Sequence, residues 1–560
     1  MSTRQAFGAV FQRPKNLDSL LDSYRAGQLR LPPQPVWTGE FTNWAADPFE
    51  DRNWRFQHHT LRWLNPIRWA ALDGVNDARG EWLYVARSWA ETNIPAEESP
   101  SDFAWKDMAD GTRAIQFCLG APLVGPEDEW FVELLKYHRD WLMDDKHIVQ
   151  KNHALHQHQG LLVLGATLRD TDAINKAVER MRTQFRTTFD EQGGNDEGAI
   201  KYHELNIQWW ALGWRRVEAE GIAPPEDVQH RLDRAAYVLA HMTLPNGEIT
   251  QIGDTVRGKV APRLGEATEY AATGGRSGKT PSERVVVLDR GYILSRSGWG
   301  EKKPLDQESH TVIRHGIHHR GHAHQDRGSV HIYAAGQRWL TDSGFHSYQA
   351  GSPEVRYLKS REAHNVAFLP GVDHDDNAPV EIVAQHVSDD AHDFTLLDHG
   401  YGDADVRRRV IYLTGPDAWL VIDTADPAAG APIRQHWHVE LDTKVRVLDN
   451  GYRLAGARAQ FTMYWLGRGT ALSHRLADDR SHDAWIGTRW KTMQPSARIT
   501  AESRARSPRL VTLLVPQAGN PLGVVSSHVA TTGTTSLDLV RGGARWRIKV
   551  TDGELVVRQS

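Results

Sequence analysis

The feature that most constrains the fold is a change of hydrophobic period near the middle of the chain. Up to about residue 270, apolar residues recur at helical spacing, as in the run DVQHRLDRAAYVLAHM, where Val228, Leu232 and Leu239 share a face. After Glu283, short β-branched and aromatic runs such as RVVVLD, SVHIYAA and WLVIDTA alternate with Gly, Asp and Pro turns. Such a chain is expected to fold as a helical region followed by an antiparallel β-sandwich region.

The domain limits follow from composition and length. A chain of 560 residues is expected to form two or three domains of ~100–200 residues each. The stretch ATGGRSGKTPSE, from Ala272 to Glu283, has the composition of a linker. We therefore predict a helical domain over 1–275, a β-sandwich over 284–495 and a small β domain or further strands over 496–560. The repeated helical hairpins predict an α/α toroid or solenoid, although no clean repeat period is visible.

The composition excludes several classes of partner. The net charge of −5 gives no basic field for nucleic acid, and no apolar run approaches the length of a membrane span. Cys118 is the single cysteine, so disulfides within the chain and thiolate metal sites are excluded. The first residues contain no apolar stretch typical of a signal peptide, which predicts a cytoplasmic protein, secreted only if a leader was removed. A homo-oligomer is compatible with the sequence.

A histidine cluster precedes one of the strand-like runs, in HHRGHAHQDRGSVHIYA. If the segment is extended, His322 and His324 point to the same side, and Asp326 follows in the same phase. Converging imidazole and carboxylate groups suit a metal ion or an anionic substrate. A solvated run of histidines is the alternative.

Two further polar clusters lie in the helical half. In KNHALHQHQG, a helix would place Asn152 and His156 on one face, with His153 beside them. The second cluster begins with Glu197 in the Gly-rich loop FDEQGGNDEG and continues with Tyr202, His203 and Trp209. Tyr202 is predicted to lie near the start of a helix. A hydrogen-bonded polar pair in a helix bundle and an ordinary core tyrosine are the structural alternatives.

The ordered set of motifs resembles the heparinase II/III-type polysaccharide lyases, a group that includes alginate and oligo-alginate lyases. The order is Asn-His on a helix, then Glu-(x)4-Tyr-His after a Gly-rich loop, then His-x-His-x-Asp-x-Gly-Ser. GYILSRSGWG, LTDSG and REAHNVAF are further matches, and the resemblance runs from about Asn152 to Asn365. It implies an incomplete (α/α) toroid followed by an antiparallel β-sandwich. It also implies β-elimination at a uronic acid of an acidic polysaccharide or oligosaccharide, leaving a 4,5-unsaturated uronate end.

The resemblance also implies roles for individual residues. Tyr202 corresponds to the usual proton donor to the leaving group, and in the family it can also serve as the base when the geometry is syn. Asn152 suits a donor to the uronate carboxylate as its charge develops. His153 or His322 would be the base or the group that neutralises the carboxylate, and the sequence leaves this choice open. The candidate substrate-binding residues are His156, Glu197, His203, Trp209 and Tyr348.

A structural zinc ion is a further implication of the resemblance, with His324, Asp342 and His364 as its ligands. Two histidines and one carboxylate form a suitable zinc ligand set. A hydrogen-bonded His–Asp pair without metal is the alternative. No organic cofactor is implied.

Three other functions compete with a lyase. A metal-dependent hydrolase could use the His-x-His-x-Asp cluster, although Arg327 occupies the position of a further histidine ligand in such enzymes. A toroidal glycoside hydrolase would need two carboxylates, and only Asp196 and Glu197 offer themselves. A non-catalytic glycan-binding protein could also be built on a lyase frame.

Overall fold

The computed structural model describes residues 12–125, 128–318, 321–425, 430–478, 480–503, 508–530 and 533–560. Two compact units are present. The first unit extends to Thr188 and includes Gln208–Gln229, and the second comprises Phe189–Ile207 and His230–Ser560. None of the helices in the described ranges is long and apolar enough to cross a membrane.

The helices dominate the first half of the chain, as the hydrophobic period predicts. In chain order they are α1 Leu17–Arg25, α2 Arg52–His59, α3 Asn65–Leu72, α4 Ala78–Asn93, α5 Ala109–Gly120, α6 Glu129–Met143, α7 Lys151–Leu168, α8 Thr171–Thr188, α9 Ile200–Ala219, α10 Asp227–Met242, α11 Glu266–Ala272 and α12 Pro353–Lys359. The periodic residues Val228, Leu232 and Leu239 are buried along α10, so this part of the prediction is confirmed.

The strands form antiparallel sheets. A short hairpin joins β1 Gln28–Arg30 and β2 Val36–Thr38. A five-stranded sheet has the order β3 Val285–Leu288, β4 Tyr292–Arg296, β5 His310–Arg314, β6 Val330–Ala334 and β7 Gln337–Leu340. An eight-stranded sheet has the order β14 Lys444–Leu448, β15 Gly451–Ala455, β16 Gln460–Leu466, β21 Arg509–Gln517, β12 Ala418–Ala425, β11 Ala404–Leu413, β10 Ala391–Tyr401 and β9 Val380–Val387.

Among the described residues of the second half of the chain, three smaller sheets are also present. One has the order β17 Thr470–Leu476, β20 Ala497–Ser503, β13 Ile433–His438 and β8 Ala367–Phe368. The hairpin of β18 Trp485–Arg489 and β19 Thr492–Pro495 forms a sheet of its own. The last has the order β22 Gly523–Val529, β23 Thr535–Arg541, β24 Ala544–Val550 and β25 Leu555–Gln559.

A close helix crossing supports the segment that carries Asn152 and His153. A Cβ atom at Gly111 of α5 would lie 2.5 Å from the Cα of Gln157 in α7, and one at Gly160 of α7 would lie 2.6 Å from the Gly111 oxygen. Only residues without a side chain allow this approach. Because the two backbones touch at Gln157 and Gly160, the middle of α7, which follows Asn152 and His153, is held against α5.

The tryptophans of the helical half serve mainly as packing residues. Trp54, Trp82, Trp89 and Trp210 are each at most 1% exposed. Helix packing therefore accounts for these four tryptophans.

Strand β12 is apolar on both faces because the eight-stranded sheet is covered on both sides. Trp419 and Val421 point into one core, shared with the five-stranded sheet and with β13 and β20. Leu420 and Ile422 point into a second core, shared with β22–β25. A strand buried on both faces is expected to be continuously hydrophobic, as WLVI is. The predicted order of a helical region and then layered antiparallel sheets is confirmed.

The three domain limits predicted from the sequence stay a prediction. No helix or strand is formed from Thr273 to Arg284, where the linker is expected. Near the predicted limit at residue 496, β20 pairs with β13 and β17, β21 pairs with β12 and β16, and β22–β25 form their own sheet.

Candidate active site

Tyr202 lies in the first turn of α9, directly after the Gly-rich loop, in agreement with the sequence prediction. Its ring is stacked on that of His322, with 3.4 Å between ring centroids and 10° between ring planes. Its hydroxyl is 2.5 Å from the hydroxyl of Tyr348, which belongs to a loop after β7. Burial, the neighbouring Tyr348 and the carboxylates of Asp254 and Glu197 raise the pKa of Tyr202 well above its usual value. The phenol therefore holds its proton at neutral pH.

His322 and His324 converge on one carboxylate. Asp254 places Oδ2 3.0 Å from His322 Nδ1 and Oδ1 3.0 Å from His324 Nε2. Both imidazoles therefore face the same carboxylate. However, the segment is an irregular turn and β6 begins only at Val330, so the expectation of an extended segment leading straight into the strand is corrected.

Asp254 is buried and held from several directions. It is 4% exposed, and Lys359 places its Nζ 3.3 Å from Oδ2. Burial alone would raise the pKa of Asp254, but the two histidines and Lys359 bring it well below its usual value. The preceding residue, Gly253, has φ +61°, and a Cβ there would lie 2.6 Å from the His322 oxygen. This turn can therefore be made only by glycine without strain.

The acidic end of the His-x-His-x-Asp motif turns away from the two histidines. Asp326 is fully buried and pairs with Arg314 at 3.3 Å. A metallo-hydrolase would need this carboxylate beside the two imidazoles, so the structure does not favour that alternative. Glu197, by contrast, lies near His322, with 3.9 Å between its Oε2 and Nε2.

His324, Asp342 and His364 form a compact buried group. Each offers a ligand atom, and the three atoms lie within 4.8 Å of one another. His364 Nδ1 is 3.0 Å from Asp342 Oδ2, and the Gly344 N–H donates to Asp342 Oδ1 at 2.9 Å. Burial would raise the pKa of Asp342, but the nearby His364 lowers it far below its usual value, so the carboxylate is ionised.

The donor atoms of this group fit a metal ion. His324 Nδ1 and His364 Nε2 are buried and have no hydrogen-bond partner among the described residues. A buried ring nitrogen without a partner is costly unless a ligand satisfies it. Since His324 gives its other nitrogen to Asp254, the arrangement is that of a ligand histidine oriented by an outer carboxylate.

Asn152 and His153 lie in the first turn of α7, within the first unit. Asn152 is 3% exposed, whereas the His153 side chain is 37% exposed. His153 Nδ1 forms a short hydrogen bond with Asp107, whose backbone has the left-handed φ of 62°. Burial would raise the pKa of Asp107, but the bond to His153 lowers it. The carboxylate thus fixes the orientation of the His153 ring.

The other predicted substrate-binding residues are divided between surface and core. The rings of His156 and Trp209 meet edge to face at 5.4 Å, and burial lowers the pKa of His156 to about 3. Tyr348 is 46% exposed. His203, however, is 2% exposed and donates from Nε2 to the Ala235 oxygen at 2.9 Å. The structure does not bring His203 to the group around Tyr202, and its contacts join α9 to α10.

Sequence reasoning missed Asp254, Lys359 and Asp107. Asp254 lies 68 and 70 positions before the histidines that it binds. No local spacing could connect residues so far apart. The Gly253-Asp254 pair between two elements is the only local signal, and many loops share it.

Two family profiles match the chain. The profile described as "Heparinase II/III N-terminus" matches residues 28–273, and the profile described as "Heparinase II/III-like, C-terminal" matches residues 280–536. The chain has the toroid-plus-sandwich architecture, with helices followed by layered antiparallel sheets. Its candidate site contains a Tyr–His pair and a His/Asp group. The chain belongs to the heparinase II/III-like family.

Individual relatives are distant in sequence. A heparin-sulfate lyase from Pedobacter heparinus is 22% identical over 448 residues, covering 72% of this chain and 65% of that protein. Another from Bacteroides stercoris is 22% identical over 376 residues, covering 58% and 54%. The chain thus matches less than two thirds of the length of either. The crystal structure of a mutant heparan sulfate lyase from Pedobacter heparinus superposes with a TM-score of 0.73 at 17% identity, covering 98% of this chain and 92% of that one. The expected toroid and sandwich fold is therefore confirmed.

Proposed function

We propose that this protein is a polysaccharide lyase that cleaves an acidic glycan by β-elimination at a uronic acid and leaves a 4,5-unsaturated uronate end. The observation that carries the proposal is the stacked pair of Tyr202 and His322, with Asp254 behind the histidine. The names of the relatives, heparin-sulfate lyases, support the same reaction class.

The proposed reaction needs a base at C5 and an acid at the 4-oxygen. His322 suits the base, because Nδ1–H donation to Asp254 leaves the lone pair of Nε2 available. Tyr202 suits the acid, because burial and neighbouring carboxylates keep its phenol protonated. The C5 proton passes to His322 Nε2, the C4–O bond breaks as the double bond forms, and the Tyr202 proton goes to the departing oxygen.

The positions of these two groups favour one stereochemistry. Since the Tyr202 and His322 rings are stacked on each other, proton removal and delivery are suited to one face of the sugar. Glucuronate carries its C5 hydrogen and 4-oxygen on the same face, whereas its C5 epimer iduronate does not. We therefore propose glucuronate, or a uronate with the same relation, as the preferred unit.

Asn152 and His153 are proposed to neutralise the uronate carboxylate, as the family resemblance implies. An amide and an imidazole can both donate hydrogen bonds to a developing enolate. The bond from His153 to Asp107 supports this assignment, because it fixes the orientation of the ring.

Zinc is proposed to bind His324, Asp342 and His364. Two buried ring nitrogens that have no hydrogen-bond partner in the described part of the chain, together with an ionised carboxylate, support this site. The ion would contribute folding energy and fix the loops that carry these residues. Through Asp254, the same site would orient His322 without taking part in proton transfer.

The test is a panel of uronate glycans, with formation of the unsaturated uronate followed by its ultraviolet absorbance. Heparan sulfate, hyaluronan, chondroitin, alginate and glucuronan are incubated with the wild type and with Tyr202→Phe. We expect cleavage of at least one glycan by the wild type and a loss of at least ~10²-fold in the variant, whose packing is nearly unchanged. Absence of absorbance with every glycan, or unchanged turnover by Tyr202→Phe, would contradict the proposal.

A further inference from the structure

The hairpin of β18 and β19 carries aromatic and cationic residues to the edge of the Tyr202 group. Its two-residue turn is Trp490-Lys491, preceded by Arg489 at the end of β18. Trp490 is partly exposed, and Arg489 and Lys491 are exposed. No motif recognised in the sequence includes these residues.

The hairpin is clamped to the loop that carries Tyr348. Gly344 and Gly487 form a parallel β-bridge, and a Cβ at Gly344 would lie 2.2 Å from the Gly487 oxygen. A Cβ at Gly487 would in turn lie 2.4 Å from the Phe345 oxygen. The Lys491 N–H also donates to the His346 oxygen at 2.8 Å. Because neither glycine leaves room for a side chain, the turn holds a fixed place beside this loop.

A row of aromatic rings leads from the turn to Tyr202. The Trp490 ring lies 5.2 Å from that of Tyr348 and 5.9 Å from that of Phe345. Tyr348 in turn places its hydroxyl 2.5 Å from that of Tyr202. The ring of Tyr348 therefore separates Trp490 from the proposed proton donor Tyr202. A sugar unit next to the cleaved bond of a bound glycan would lie at this distance from Tyr202.

The charges at the turn suit an anion. Arg489 and Lys491 flank Trp490 in the sequence. His346 and His482 lie nearby, and Glu354 is the carboxylate among the charged groups that shift the pKa of His346. Exposed cations beside an aromatic face favour a ligand that has both apolar C–H faces and negative charge.

We propose that Arg489, Trp490 and Lys491 form a binding subsite for an acidic sugar unit next to the one whose bond is broken. Trp490 stacks on the sugar face, and the two cations pair with its carboxylate or sulfate groups. The assignment rests on the proposed lyase function for its place in the reaction, but binding at the turn is measurable without turnover.

Binding is measured by calorimetry in the Tyr202→Phe background, in which cleavage of the probes is expected to be at least ~10²-fold slower. The probes are hexasaccharides from heparan sulfate and from alginate, with neutral maltohexaose for comparison. Trp490→Ala should weaken binding of at least one acidic probe about tenfold, equivalent to about 1.4 kcal/mol. Trp490→Phe should retain most of the affinity.

The cations are tested with a matched pair of double variants. Arg489→Ala with Lys491→Ala should weaken binding about threefold to tenfold at low salt, with a smaller loss at high salt. Lys444→Ala with Arg446→Ala removes two exposed cations with the same spacing on β14 and should change nothing. In the active enzyme, Trp490→Ala should raise KM while kcat changes little, as expected for binding that is equal in ground and transition states.

The subsite is overturned if Trp490→Ala binds both acidic probes as tightly as its parent, if the parent binds neither of them, or if maltohexaose binds equally well. Should Trp490→Ala fail to fold, the double variant of Arg489 and Lys491 decides, and unchanged binding of the acidic probes at low salt overturns the subsite. If these variants weaken binding but the wild type cleaves no glycan, only the proposed function is refuted. If the wild type cleaves a glycan but none of these variants changes binding or KM, only the subsite is refuted.

Discussion

Asp254 holds two histidines with one carboxylate, so Asp254→Asn should damage catalysis and stability together. An amide keeps one accepting oxygen, and its NH2 group cannot accept from His322 or His324. At least one of the two 3.0 Å bonds is therefore lost. A charge-assisted hydrogen bond contributes roughly 1.5–3 kcal/mol. Lys359, 36% exposed, adds little because solvent screens it.

We therefore expect Asp254→Asn to lower the free energy of unfolding by about 2–4 kcal/mol. Turnover should fall by at least ~10²-fold, since the proposed base loses the partner that fixes its tautomer. Stability is measured by thermal unfolding, and turnover by the absorbance of the unsaturated product at a temperature where the variant is folded.

Asp423→Asn is the matched control. Asp423 is fully buried and accepts from Arg408 Nε at 2.7 Å and from Gln435 Nε2 at 2.6 Å. Its replacement should destabilise the protein to a similar extent, while kcat per folded molecule stays within about twofold of the wild type. Normal kcat in Asp254→Asn, or equal loss of kcat in both variants, would refute the positioning role of Asp254.

Three further outcomes are expected. His322→Ala should abolish turnover yet retain metal in elemental analysis, whereas His324→Ala should lose metal and melt at a lower temperature. The zinc proposal is refuted if the wild type contains no stoichiometric metal and a chelator leaves its melting temperature unchanged. Tyr348→Phe removes the hydroxyl partner of Tyr202 and should reduce kcat about fivefold to tenfold, because one hydrogen bond contributes about 1 kcal/mol. An unchanged kcat would show that this bond has no part in catalysis. Burial lowers the pKa of His203 from 6.5 to about 4, so the unfolded chain binds the proton first as pH falls. Stability present at pH 7 should then decline between pH 6.5 and 4 by up to about 3 kcal/mol, and pH-dependent melting of His203→Gln should show a shallower decline.

The order of helices and strands could be predicted because the local spacing of apolar residues differs between helices and strands. The helical spacing of Val228, Leu232 and Leu239 and the strand composition of WLVIDTA each reflect contacts within one element and with its immediate neighbours. The family motifs added the residues that meet in space, such as Tyr202 with His322. They did so because the order of the motifs along the chain carries information that no single spacing contains.

Contacts between distant segments could not be predicted in the same way. Asp254 binds residues about seventy positions away, and the Gly344–Gly487 bridge joins segments that are farther apart still. His203 illustrates the opposite error: its place beside Tyr202 in the sequence suggested a ligand, but successive residues on a helix point in different directions. One turn of α9 therefore presents Tyr202 to the site and His203 to the core.

The two-sided burial of the eight-stranded sheet limits how far the chain can be shortened. A chain that ends before Gly523 would leave Leu420, Ile422 and Leu513 of the second core facing water. Such an uncovered row of aliphatic side chains on a β-sheet attracts other chains. The last four strands carry none of the proposed catalytic residues, but they cover this apolar face and so prevent aggregation. Their deletion should therefore yield aggregates rather than a smaller enzyme.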